Sequence, residues 1–309
     1  MKSIFLIEAP FQLLSAYEAI SAYNIIEYKI YIRLSSRKSN DFQLKRLVAM
    51  LFGNTENIEY FHIKSRSRSL LDLFKIFCIG LYFFLYSKKY KYVFVGNFDS
   101  KVLKLIVKVV NIQKIILLDD GIKNILLQSS FTDSCNYNMF TMLSSLEPYN
   151  SQVIIYNYFN NFKKKIYNIK IENINDLLFI GADLSESGIM EEGDYIKYID
   201  KISKINSGKL IYIPHRSEYK CKLDKISKLT NVKVEKLDYP VEFYIYYKKI
   251  RPYKILSFYS AALISLKYLY ENIEIVALKF DYRNVENSKD IDLVYLYLSK
   301  HIKVDAIEI

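Results

Sequence analysis

Two adjacent carboxylates and a glycine, Asp119-Asp120-Gly121, close the apolar run Ile115-Ile116-Leu117-Leu118. A carboxylate placed there can accept a proton from a hydroxyl as that hydroxyl attacks a substrate carbon, and an aspartate is ionised at neutral pH without help. The glycine permits a turn with positive φ and lets a substrate approach the backbone. Neighbouring residues of an extended strand point to opposite faces, so one acid is expected to project while the other caps the next helix or holds the turn. Asp120, beside the glycine, is the favoured projecting group, with Asp119 the other candidate.

A second constellation, Pro214-His215-Arg216-Ser217-Glu218, follows the apolar run 210–213. A histidine among charges at a strand end can hydrogen-bond a phosphate and, once protonated, stabilise its departure. A third, Ser257-Phe258-Tyr259-Ser260, precedes Ala261-Ala262-Leu263-Ile264, a strong helix former. Ser260 reads as an N-cap, and the same helix amino terminus suits a phosphate; the two readings hold together where an anion shares the cap.

These groups need elements to carry them. Short apolar strands alternate with helical patterns through the first half: strands at 3–7, 29–32, 58–62, 92–95, 114–118 and 153–156, and helices at 11–22, 41–52, 70–86 and 101–109. After a polar stretch rich in Asn and Lys, the rhythm restarts with strands at 177–180, 209–213, 232–236, 255–257 and 273–278. Helices at 195–204, 223–229, 261–270 and 291–301 lie among them. Such alternation implies parallel sheets wrapped by helices, with chemistry at the carboxyl edges. The expected organisation is an α/β fold of GT-B type, two Rossmann-like domains facing across a cleft: residues 1–156, a linker at 157–176, and residues 177–309. No glycine-rich phosphate loop follows any strand, which excludes the common dinucleotide and nucleoside-triphosphate sites.

Composition narrows the classes further. A chain of 309 residues is comfortable for two domains of about 150 residues each, and 51% hydrophobic content can fill both cores. Three cysteines, Cys78, Cys135 and Cys221, lack the spacing of a zinc site or a disulfide framework and suit a reducing compartment. The amino terminus, Met-Lys-Ser-Ile-Phe-Leu-Ile-Glu, reads as a strand ending in an acid rather than as a secretion signal, so a cytoplasmic protein is expected. Only three histidines are present, and no metal is expected. The net charge of +11 favours an anionic partner. Basic clusters occur at Lys64-Ser65-Arg66-Ser67-Arg68, Lys88-Lys89 and Lys163-Lys164-Lys165, but no nucleic-acid-binding module accompanies them. Segment 70–86, with Asp72 and Lys75 in its first turns, is too short to span a bilayer. It reads as a helix packed on a sheet. A second reading rests its basic flanks on anionic lipid while part of its apolar face dips in, a peripheral attachment on the inner face of the cytoplasmic membrane.

The three constellations, in this order, resemble the signature of the bacterial sialyltransferases of glycosyltransferase family 52: Asp119-Asp120-Gly121, Pro214-His215-Arg216-x-Glu218 and Ser257-Phe-Tyr-Ser260-Ala-Ala-Leu. Further similarities are Pro10-Phe-Gln12-Leu13, Gly96-Asn-Phe-Asp99-Ser100 and Phe179-Ile-Gly181-Ala-Asp-Leu-Ser-Glu186-Ser-Gly188-Ile, so the resemblance spans residues 1–270. It implies an inverting, metal-independent enzyme that moves sialic acid from CMP-sialic acid to a hydroxyl, such as a terminal galactose of lipooligosaccharide, O-antigen or capsule. It further implies that an aspartate of the acid pair is the general base and that His215 engages the CMP phosphate. Ser260 would bind phosphate at its helix end, and Glu242 would hold the ribose hydroxyls. Arg216, Glu218, Ser257 and Gly121 complete the expected donor-binding set. Two departures are present: proline precedes His215 where the family has His-Pro, and Ala261 stands where a second serine is expected. Both shift phosphate binding toward Arg216 and backbone N–H groups. A homodimer is compatible with the resemblance. The alternatives are a transferase using another CMP-nonulosonate (Kdo or legionaminate) and a non-catalytic protein that binds polyanionic glycan.

Overall fold

The computed structural model describes residues 2–64, 70–86, 90–128, 137–144, 152–205, 208–283, 285 and 288–308. The basic runs at 65–68 and 88–89, and Cys135, lie outside the described residues. The chain divides into two compact units: Met1–Asp120 with Ser130–Asn161, and Gly121–Ser129 with Phe162–Ile309.

The first unit holds seven parallel strands: β1 (Ser3–Ile7), β2 (Tyr28–Leu34), β3 (Ile58–His62), β4 (Tyr90–Val95), β5 (Ile112–Leu118), β6 (Tyr137–Thr141) and β7 (Ile154–Tyr156). Their order is β3-β2-β1-β4-β5-β6-β7. Helices α1 (Pro10–Ala22), α2 (Lys38–Leu51), α3 (Leu70–Tyr86) and α4 (Lys101–Val109) connect the first five. Strand β1, Ser-Ile-Phe-Leu-Ile, is buried at every position, as a central parallel strand covered on both faces must be. Phe5 stacks on Phe94 of β4 at 4.3 Å between ring centroids. The strand order reverses between β1 and β4, so the loops after these strands diverge and leave a crevice at the carboxyl edge.

The second unit repeats the plan with β9 (Leu177–Ile180), β10 (Leu210–Ile213), β11 (Val232–Val234), β13 (Lys254–Ser257), β14 (Glu274–Lys279) and β15 (Lys303–Ala306), ordered β11-β10-β9-β13-β14-β15. Strand β8 (Glu172–Asn173) pairs with β12 (Ile250–Arg251) apart from this sheet. The helices are α5 (Lys123–Gln128), α6 (Asn160–Tyr167), α7 (Glu192–Ser203), α8 (Lys220–Ile226), α9 (Tyr244–Lys248), α10 (Ala262–Leu269) and α11 (Ser288–Ser299), with a 3₁₀ turn at Val241–Phe243. Strands β9 and β10 are buried throughout. Phe258, just past β13, gathers Phe179, Tyr195, Tyr198 and Phe280 around it within 5.7 Å. Here the switch point lies between β9 and β13.

The polar stretch 157–176 is not the bare linker expected of it. It carries α6 and β8, and Phe162 and Ile166, four residues apart, bury one face of α6. Phe162 meets Phe243 at 4.3 Å. A second difference is that Gly121–Ser129 leaves the first unit: α5 packs on α11 of the second. Strand β6 was also hidden in the sequence, because Asn138 interrupts its apolar pattern.

Candidate functional site

In the first unit the carboxyl edge gathers Glu8 after β1, Gly96-Asn97 after β4 and Asp119-Asp120 after β5. The two aspartates part company there. Asp119 is fully buried: its Oδ1 accepts from the Thr141 hydroxyl at the end of β6, and its Oδ2 from the Met142 N–H at 2.9 Å. Thr141 Oγ1 in turn accepts from Leu143 N–H at 3.1 Å, which turns its own proton toward Asp119. Burial pushes the Asp119 carboxyl up to about 7, against the pull of these two donors and with the neighbouring Asp120 charge adding to the rise. Asp119 thus ties the ends of two strands together.

Asp120 is half-buried, and its Oδ1 accepts from Gln12 Nε2 at 2.7 Å. Gln12 is itself buried in the first turn of α1, and its Oε1 accepts from the backbone N–H groups of Glu8 (2.8 Å) and Ala9 (3.1 Å). With two donors on the oxygen, the amide can only turn its NH₂ toward Asp120. Gly96 lies under this side chain; a Cβ there would fall 2.3 Å from Gln12 Oε1, so only glycine leaves room. Glu8 is held by Arg33 Nη1 (2.6 Å), Ser100 Oγ (2.6 Å) and Asn97 Nδ2 (3.2 Å). Gly121 follows Asp120 in the left-handed region, φ 72°, as the turn requires. In sequence Gln12 figures only within the Pro10-Phe-Gln12-Leu13 similarity, with no chemical role of its own. Its signal was legible all the same: a glutamine three residues past the position that starts a helix reaches back to the unpaired N–H groups there.

In the second unit Ser260 stands after β13, at the switch point, and His215 after β10, one strand to the side. His215 is half-buried with its Nδ1 3.5 Å from Asp183 Oδ2. Burial lowers its pKa below the usual histidine value, Asp183 opposing and Arg216 reinforcing the effect. Arg216 is exposed. The N-cap position of α10 is Ala261 rather than Ser260 as expected; from one residue further out the Ser260 hydroxyl accepts from the Ala262 N–H at 3.3 Å.

Glu218, expected in the donor-binding set, has a fully buried side chain. Its carboxylate accepts from Tyr212 Oη (2.5 Å), the His215 N–H (2.6 Å) and Lys222 Nζ (2.7 Å), and burial nevertheless keeps its pKa raised. With its carboxylate taken up by these internal partners, it braces the His215 loop from within. Ser257 is a second correction: it is fully buried and donates to the Ile180 carbonyl at 2.8 Å, which joins β13 to β9 at the switch point. The Glu242 carboxylate is also buried, its pKa raised by that burial, and it accepts from Ser265 Oγ of α10 at 2.8 Å.

Lys222 was missed. It is wholly buried, bridging Glu218 (2.7 Å) and Glu186 (2.9 Å), with Ser185 Oγ at 3.0 Å and the Tyr195 ring centroid 4.0 Å away. A lysine one helical turn after a glutamate reads as a surface pair in sequence; only the fold buries it. Among the described residues no three His, Cys, Asp or Glu side chains are placed to hold a metal ion.

No protein-family model matches the chain, and no curated protein matches it in sequence. Solved structures do match in fold. The UDP-GlcNAc 2-epimerase of Methanocaldococcus jannaschii, in complex with UDP-GlcNAc and UDP, superposes with a TM-score of 0.56 at 12% identity, over 98% of this chain and 93% of that one. The Neisseria meningitidis UDP-GlcNAc 2-epimerase, bound to UDP-GlcNAc, gives 0.54 at 13% identity over 99% and 95%. An α/β-galactoside α-2,3-sialyltransferase from the luminous marine bacterium Photobacterium phosphoreum gives 0.53 at 14% identity over 99% and 98%. The fold is of GT-B type. At these identities the likeness is one of architecture, that of nucleotide-sugar glycosyltransferases and epimerases.

Proposed function

We propose that this protein is an inverting glycosyltransferase that moves a nonulosonic acid, sialic acid in the first instance, from its CMP ester to a hydroxyl of a surface glycan. The observation that carries the reading is the division of labour between Asp119 and Asp120. One carboxylate is locked inside between two strand ends, while the other is half-buried and oriented by an amide whose own direction is fixed. That is how a fold presents a single base from a pair of acids.

In the proposed reaction Asp120 takes the proton of the acceptor hydroxyl as its oxygen bonds to the anomeric carbon. The bond from that carbon to the phosphate oxygen breaks, and its electron pair leaves with CMP. Direct displacement through an oxocarbenium-like state inverts the centre. His215, its pKa lowered by burial in the free protein, takes a proton from solvent as the phosphate binds beside it and offsets its charge together with Arg216 and the amino-terminal turn of α10. Glu218 and Lys222 position the His215 loop.

The test is transfer from CMP-sialic acid, CMP-Kdo and CMP-legionaminate to galactose-terminated acceptors, with UDP-GlcNAc as a control for an epimerase. Asp120→Asn keeps size and shape but removes the basic oxygen, and transfer is expected to fall by about a hundredfold to ten-thousandfold while CMP binding persists. Full activity in that variant would refute the assignment of the base. Turnover of UDP-GlcNAc but of no CMP-sugar would refute the donor.

A further inference from the structure

Helix α3 turns most of its apolar surface outward. Leu71, Phe74, Phe77 and Leu85 are each 64–65% exposed, while Asp72, the one acid of the helix, is buried with Phe83. At 3.6 residues per turn the exposed positions fan over about 200° of the helix, with Lys75 at one margin. A helix packed only on its sheet would bury the centre of such an arc.

Helix α4 lies alongside. A Cβ on Gly80 of α3 would stand 3.3 Å from Leu105 Cδ2 of α4, which marks the line where the two helices meet. On α4, Val102, Leu103 and Ile106 point to the core, and Lys101, Lys104 and Lys108 are exposed on the other side of Leu105. On α3 the exposed arc begins just past Gly80, again on the side away from the core. The lysine row therefore borders the apolar face, and both look outward from the sheet.

We infer that α3 and α4 form a docking surface for an anionic bilayer. At about 1.5 Å per residue the 17 residues of α3 reach roughly 25 Å, long enough to lie in the interface plane. Among the described residues no helix is long and apolar enough to cross a membrane. The charges select the occupant. A second copy docking by the same patch would bring lysine rows together on two chains of net charge +11, whereas anionic headgroups complement them. The width of the arc points the same way, since a partner helix covers a narrower stripe than a fluid acyl layer does. In sequence, α3 is bracketed by Lys64, Arg66 and Arg68 before it and Lys88-Lys89 after it. The surface belongs to the first unit and stands independently of the transferase reading.

Co-sedimentation of the full chain with vesicles tests this. Binding is expected to vesicles of equal parts phosphatidylcholine and phosphatidylglycerol, to weaken with added salt, and to be absent from phosphatidylcholine alone. Phe74→Ser/Phe77→Ser/Leu85→Ser and Lys101→Glu/Lys104→Glu/Lys108→Glu should each reduce binding by about tenfold or more. Circular dichroism melting of each variant verifies that the fold survives. Equal binding to the two vesicle types, or binding untouched by either folded variant, would overturn the inference. So would a parent chain that ignores vesicles and is dimeric by light scattering, with the apolar variant monomeric.

Discussion

Asp119 and Asp120 are identical residues one peptide bond apart, and their environments make them different acids. Asp119 is fully buried with two donors; its carboxyl is raised to about 7 because burial outweighs those bonds. Asp120 sits at the edge with Gln12. The Asp119 shift is also a statement about stability. A carboxyl whose folded pKa lies above its unfolded value binds its proton more readily when folded, so its contribution is full below the unfolded value near 3.8 and is lost as pH rises through about 7. Parent and Asp119→Asn proteins, compared by urea unfolding between pH 8 and pH 5, should therefore diverge in slope, the parent gaining relative stability toward the acid side. Parallel curves would show that Asp119 stays charged inside the fold. The sequence reading expected the pair to split, because the alternation of side chains along a strand requires it. The glycine beside Asp120 already favoured it as the projecting acid, but the donors that hold Asp119 inward, Thr141 and Met142, stand at the end of a strand whose own pattern is broken by Asn138.

At the scale of elements, legibility follows burial. Central strands such as β1, β9 and β10 are buried on both faces and read as unbroken apolar runs. The edge strand β15 is short and half-exposed, and it passed unnoticed beside them. The loops carrying His215 and Ser260 do follow strands, as expected, but the inward placement of Glu218, Ser257 and Glu242 was not readable, because a polar side chain in a loop gives no sign of which way it faces. Lys222 on α8 shows what such inward residues are worth. It is the cation between two buried carboxylates, Glu218 and Glu186. Lys222→Met keeps the apolar stem but strands both acids, and breaking a buried pair from one side costs about 3–5 kcal/mol. Chemical denaturation should show that loss, and Glu218→Gln/Lys222→Met should recover part of it. A change under about 1 kcal/mol in the single variant would mean that water reaches the acids.

On the scale of the whole molecule, two Rossmann-like units each bring a switch point and its loops to a carboxyl edge, and each edge carries a different chemistry. The first offers an oriented carboxylate; the second offers a histidine and a helix start with the Ser260 hydroxyl beside it, the groups that would meet a nucleotide phosphate. The central claim is that this second edge takes CMP. The direct measurement is the melting temperature of the protein titrated with CMP and, separately, with UDP, for the parent and for His215→Ala. A ligand that binds only the folded state raises the melting point with the logarithm of its concentration. The account predicts a saturable rise with CMP, a smaller one with UDP, and about a tenfold or greater loss of CMP affinity in His215→Ala, the loss of one charge-assisted phosphate contact. No rise with CMP, or a CMP rise that His215→Ala leaves unchanged, would contradict it.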